Sequence, residues 1–264
     1  MLRTRVISAI IMLPVVLGFL YLGGWWFFGL IGVVLSVATW EYAKLVQRAD
    51  RQVWLPAALA LIWLPLADVM WASVEILMPG LILVLLASQF WAMMRHVRGD
   101  NDSTASWALT LAGGLYIGLM GANFMRLRQL ENGFLWSMLA YGSTWLADSA
   151  AYSIGRRWGR HKAVPRLSPG KSWEGFLAGI AGGALAGVLL ATLSGLDWMN
   201  GLALGVAIAA LSPMGDLVVS MIKRQAGVKD TSNLIPGHGG VFDRIDSLLI
   251  SVTIATGYVF WIVQ

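Results

Sequence analysis

Long apolar runs, each interrupted by a short polar interval, set the pattern of this chain. Runs long enough to cross a hydrocarbon core of about 30 Å fall at residues 6–22, 25–46, 53–71, 74–94, 107–125, 134–154, 175–193, 199–221 and 245–263. They predict nine membrane-spanning helices in one all-α, polytopic, membrane-embedded domain. The third and fourth runs are split only by residues 70–73, the weakest of these boundaries. Arg3 and Arg5 precede the first run much as in a signal peptide. No small-x-small cleavage site follows and a second run starts at Trp25, so the first run is expected to stay as a span.

The basic residues orient the spans. With the N-terminus in the cytoplasm, every Lys and Arg except Arg126 and Arg128 falls in a segment on the inner side, the asymmetry expected of a cytoplasmic-membrane, multi-pass protein. Composition agrees: 58% of residues are hydrophobic and 12% charged, against about a quarter charged in soluble domains. The net charge of +5 therefore reads as membrane orientation, and nucleic acid is not an expected partner. Cysteine is absent, which excludes disulfides, thiol catalysis and Cys-ligated zinc and leaves oxygen or imidazole ligands for any metal. Gly175, Gly179, Gly183 and Gly187 recur at helical spacing and predict close helix packing, while Trp residues near the span ends predict interfacial anchors.

Few ionisable residues lie in the first four spans, so residues 1–125 read as mainly scaffold and 134–264 as catalytic spans and loops. Asp148 lies late in the sixth run, Asp216 late in the eighth, and Asp243 and Asp246 at the start of the ninth. The alternating directions of these spans bring all four to one depth beneath the cytoplasmic surface. Carboxylates at that depth are costly unless paired or bound to a cation, which suggests a hard-metal site of oxygen ligands; for any one Asp, a structural ion pair or helix cap is an equal alternative.

Two inner-side loops carry further chemistry. In 155–175, Arg166, Ser168, Lys171 and Ser172 lie among Pro and Gly before a helix expected to start at 172–174, a setting for anionic oxygens. In 220–246, Gly237, Gly239 and Gly240 flank His238, permitting close backbone approach to a ligand, and His238 could donate to a phosphate, act as an acid or base, or cap structure. The P-loop pattern Gly-x-x-x-x-Gly-Lys-Ser/Thr is missing, as are serine-hydrolase and His-x-x-x-His zinc arrangements.

The succession Ser220, Lys223-Arg224, Lys229-Asp230, Ser232, Ile235-Pro236, His238-Gly239-Gly240, Asp243-Arg244 and Asp246 resembles the signature of bacterial phosphatidate cytidylyltransferases, the CDP-diacylglycerol synthases. Residues 167–175 are similar to a second stretch of that family, with Gly170 standing where Lys is expected, and 145–152, including Asp148, also fits. The resemblance implies magnesium-assisted attack of phosphatidic acid, entering from the inner leaflet, on the α-phosphorus of CTP, giving CDP-diacylglycerol and pyrophosphate. It implies Asp216 and Asp243 as holders of Mg2+, and of a second cation where two bind, with Asp246 and Asp148 as direct or outer ligands. Catalytic roles fall to Asp216, Asp243, Asp246, Lys223, Arg244 and His238. Substrate binding falls to Arg166, Ser168, Lys171, Ser172, Arg224, Lys229, Asp230, Gly239 and Gly240. The oligomeric state stays open, a homodimer included.

Two other readings share part of this pattern. A CTP-dependent polyprenol kinase would use similar spans and a similar nucleotide loop but release CDP. An ion transporter would use buried Asp residues to carry cations, yet the charges here gather at one face and form no trail across the bilayer.

Overall fold

The computed structural model describes residues 2–263, with side chains described at Ser8 and from Ile10 onward; the side chains of Arg3 and Arg5, used above for orientation, lie outside the described residues. Ten α-helices follow one another: α1 (Leu2–Leu22), α2 (Gly24–Arg48), α3 (Leu55–Met70), α4 (Leu77–Val97), α5 (Ser103–Gln129), α6 (Gly133–Trp158), α7 (Trp173–Leu193), α8 (Trp198–Leu211), α9 (Pro213–Gln225) and α10 (Phe242–Tyr258). A π-helical turn, Val259–Val263, extends α10.

Each of the nine predicted runs coincides with a helix, and the eighth with two. Ser212 closes α8 in helical geometry, and Pro213, which has no N–H to give, opens α9 with one ladder bond missing. Six helical stretches are long and apolar enough to cross a membrane: α2, α4, α5, α7, the α8 and α9 path, and α10 with its π turn. The described part of α1 and α3 are shorter apolar helices. The sixth run is not among the six, because Ser, Thr, Tyr and Gly dilute the apolarity of α6.

One departure from the all-α expectation positions chemistry. Between α6 and α7 the chain forms an antiparallel hairpin of β1 (Lys162–Val164) and β2 (Ser168–Ser172), with Lys162 opposite Ser172 and Val164 opposite Ser168. Strands this short, in a loop rich in Pro and Gly, carry no periodicity by which sequence could show them.

The chain divides into two compact units, 1–125 with 222–244, and 126–221 with 245–264. In the first, α2 packs on α1 and α3, and α3 on α4. Gly113, Gly114 and Gly118 of α5 lie so close to Tyr42, Leu61 and Ile62 that a Cβ would collide with them. The Tyr42 hydroxyl donates to the Leu109 carbonyl at 2.8 Å. Phe27, Leu35, Leu61, Ile62, Leu66 and Ile117 form fully buried parts of its core. In the second unit, α7 packs on both α6 and α8. Gly179 meets the backbone of Ala147, Gly183 meets Ala209 and Gly205, and Gly187 meets Gly201, so the small-residue stripe lets backbones approach directly. Thr144 and Ser251 share a buried hydrogen bond of 2.7 Å in the same unit.

Candidate active site

In the first unit, the polar segment after α9 is organised by two buried carboxylates. One is Asp243, in the first turn of α10. Its Oδ1 accepts from Lys223 Nζ at 2.6 Å, and the two side chains are 4% and 11% exposed. Its Oδ2 accepts from the backbone N–H of Thr231 at 2.8 Å, the Thr231 hydroxyl at 2.9 Å and the backbone N–H of Gly240 at 3.1 Å. Both oxygens are thus supplied with donors, as a buried charge requires.

The other carboxylate is Glu41, fully buried in α2. It accepts from Ser232 Oγ at 2.5 Å, Phe242 N at 2.8 Å and Val241 N at 3.0 Å, and lies 3.0 Å from Thr231 Oγ1, whose one proton it shares with Asp243. Two of these donors are backbone N–H groups at the start of α10, where a helix leaves amides unsatisfied and where negative charge is favoured. Glu41 therefore ties both ends of the segment 231–242 to a helix made some 190 residues earlier.

Glycine chemistry shapes the tip. Gly237 and Gly239 take φ of 79° and 84°, the left-handed region that costs glycine least. A narrow turn results, with Ile235 N donating to Gly239 O and His238 N to Ile235 O, each at 2.9 Å. At Gly240 a Cβ would strike Thr231 Oγ1 and the Glu41 carboxylate, so only glycine admits this network. His238 Nδ1 lies 2.7 Å from Ser8 Oγ, which also donates toward Pro236 O at 3.2 Å. Arg224, Lys229, Asp230 and Arg244 are exposed.

The second unit holds a more open cluster. Lys171, on β2, pairs with Asp216 Oδ2 at 2.7 Å, the side chains being 31% and 33% exposed. Lys171 Nζ also reaches the Pro213 carbonyl at 3.5 Å, and Ser220 Oγ donates to Asp216 Oδ1 at 3.4 Å one turn along α9. The hairpin thus brings its lysine to the first turn of α9. Ser172 is the N-cap of α7 and accepts from Gly175 N at 3.2 Å. Glu174 turns back to His161, whose Nδ1 lies 2.6 Å from Oε1 and whose backbone N–H donates to both carboxylate oxygens. Sequence reading expected Ser168, Lys171 and Ser172 in a turn entering a helix; they lie on a strand, and the helix entry is closed by its own cap. Arg166 is exposed at the hairpin turn.

Asp246, buried, lies on α10 at a close approach of α9, where Gly215 has no room for a Cβ against the Asp246 carbonyl. Asp246 Oδ1 accepts from Ser247 N at 2.7 Å. Asp148 is exposed on α6. No group of three His, Asp or Glu side chains gathers as a metal cradle among the described residues. Magnesium commonly takes one or two carboxylates and completes its shell with water and substrate phosphates. Asp216, an oxygen donor one-third exposed in the first turn of α9, fits that demand as a carboxylate ligand.

Glu41 and Thr231 were not singled out from the sequence. The signal for Glu41 was there: it is a carboxylate inside an otherwise apolar run, where an ionisable residue marks a function or a strong partner.

The sequence matches the cytidylyltransferase family over residues 3–262. Among its relatives are proteins named phosphatidate cytidylyltransferase from Pseudomonas aeruginosa, 36% identical over 96% of this chain and 95% of the relative, and from Haemophilus influenzae, 34% identical over 99% and 100%. Another of that name, from Synechocystis sp., is 31% identical over 97% and 95%. With its signature segment bound into a buried carboxylate network and a match spanning nearly its whole length, this chain belongs to the cytidylyltransferase family.

Proposed function

We propose that this chain is a phosphatidate cytidylyltransferase, transferring CMP from CTP to phosphatidic acid in the cytoplasmic membrane. The observation that carries the reading is the end-to-end match to relatives of that name. A phosphate oxygen of phosphatidate attacks the α-phosphorus of CTP. The bond from that phosphorus to the bridging oxygen of the β-phosphate breaks, and pyrophosphate leaves with the electron pair. Such in-line transfer needs charge neutralisation and positioning more than a protein nucleophile.

In the second unit, Asp216 would hold Mg2+, with Asp246 and Asp148 as further direct or outer ligands. The ion, when bound, supplies neutralisation of phosphate oxygens. Lys171 moves between Asp216 and a substrate phosphate, and Ser168 and Arg166 flank it on the hairpin. In the first unit, Asp243 and Glu41 hold the signature segment in shape. Asp243 holds Lys223 in position at 2.6 Å. Arg224, Lys229 and Arg244 face the pyrophosphate and the lipid head group. Gly239 N–H and His238 offer hydrogen bonds to phosphate.

Nine crossings, with the N-terminus and the basic loops in the cytoplasm, complete the reading. CTP arrives from the cytoplasm and phosphatidate from the inner leaflet. The test is purified protein in detergent with labelled CTP, phosphatidic acid and magnesium. CDP-diacylglycerol and pyrophosphate are expected in equal amounts; CDP with a phosphorylated lipid would instead establish a kinase.

A further inference from the structure

A cleft of about 350 Å³ opens over α2 in the first unit, lined by Trp40, Glu41, Lys44 and Arg48 on one side and residues 228–233 on the other. Glu41, Lys44 and Arg48 stand at i, i+3 and i+7 and so share one helix face. The Glu41 carboxylate already accepts from the Ser232 hydroxyl and the Val241 and Phe242 amides, so it adds little attraction for a further cation. Lys44, Arg48 and Lys229 line the cleft, and among the described residues none of them forms an ion pair with a carboxylate. Lys44 Nζ sits 3.8 Å from the Trp40 ring centroid, which restrains the long side chain before any ligand arrives. Asp230 is the remaining acidic group on the wall.

Three cations around a small, mostly polar recess, with their neighbouring glutamate already satisfied, suit a dense anion. We propose that this cleft is a phosphate subsite of the reaction, in which Lys44 and Arg48 of α2 bind phosphate oxygens opposite Lys229. The helix that reads from sequence as scaffold then does two jobs. Glu41 sets the position of 229–232, and the next two turns present the charges that face it. Arg48 offers a planar fork for two oxygens and Lys44 a point charge. Both the triphosphate of CTP and the monoester of phosphatidate have this chemistry. The inference takes its substrates from the cytidylyltransferase reading, but its binding test does not depend on turnover.

The binding test titrates inorganic tripolyphosphate into wild type and into the Lys44→Ala/Arg48→Ala double variant, both in neutral detergent, by calorimetry. A loss of affinity of roughly tenfold or more is expected from removing two charge-assisted contacts. Arg98→Ala, which removes an exposed charge at the end of α4, should leave affinity unchanged. Affinity of the double variant equal to wild type would overturn the proposal. Kinetics then name the source. A rise in KM for CTP alone assigns the cleft to the nucleotide, and a rise in KM for phosphatidate alone assigns it to the lipid head group. In either case kcat should stay within about threefold, as removal of uniform binding predicts. Weakened tripolyphosphate binding with neither KM moved would overturn the assignment to the reaction. A wild-type protein that binds tripolyphosphate but makes no CDP-diacylglycerol would sink the enzymatic reading and leave the anion site standing.

Discussion

Asp243 and Asp216 are both acids beside a lysine, yet their surroundings differ in kind. Asp243 is buried, and its two oxygens collect four donors from Lys223, Thr231 and Gly240. Asp216 is one-third exposed and holds a lysine at 2.7 Å, with a single long contact from Ser220 besides. A saturated carboxylate has little left to offer a ligand, and breaking its set leaves an unpaired buried charge. An open one can exchange its lysine for a cation or let that lysine go to a phosphate. On the proposed function, the first carboxylate would keep shape and the second would do the chemistry.

The sharpest way to break this contrast is Lys223→Met. It strands Asp243 in the interior and should cost about 3–5 kcal/mol of stability, seen as a collapse in the yield of monodisperse protein and in its thermal midpoint. An equally stable variant would show Asp243 to be as open as Asp216. Asp216→Asn should behave in the opposite way. Turnover of CTP should fall about a thousandfold, roughly 4 kcal/mol of transition-state stabilisation, while the thermal midpoint stays near wild type. Stability lost in step with activity would move Asp216 into the structural class.

Smaller effects sharpen the picture. Ser172→Ala removes the side-chain cap of α7 and should cost about 1 kcal/mol, lowering the thermal midpoint by a few degrees without changing the metal requirement of turnover. Asp102→Asn breaks the exposed pair of Asp102 with Arg51 and should cost less than about 1 kcal/mol, with kinetics unchanged. Those two variants mark the scale against which the first two should be judged.

Much of this was legible in the sequence. Apolar length placed a helix on each of the nine runs but missed the break at Ser212 and Pro213 that divides the eighth into α8 and α9. The signature spacing found Lys223, Asp243, Gly239 and Gly240, and these do meet in one network. What spacing could not show was that Asp243 is fully engaged, since its donors at Thr231 and Gly240 come from backbone geometry. The hairpin escaped for want of periodicity, and with it the route by which Lys171 reaches Asp216. Glu41 escaped for another reason: its partners lie at the far end of the chain, and no local pattern encodes a contact across 190 residues or more.

That separation has a consequence for how the protein is made. Glu41 enters the membrane early in synthesis, and Thr231 is the first of its hydrogen-bonding partners to be added, 190 residues later. At about 5–20 residues per second, the nascent chain carries this acid without its donors for roughly 10–40 seconds. Over that interval the Glu41 end of α2 must stay hydrated or be held by other partners, and only the arrival of residues 231–242 lets it settle.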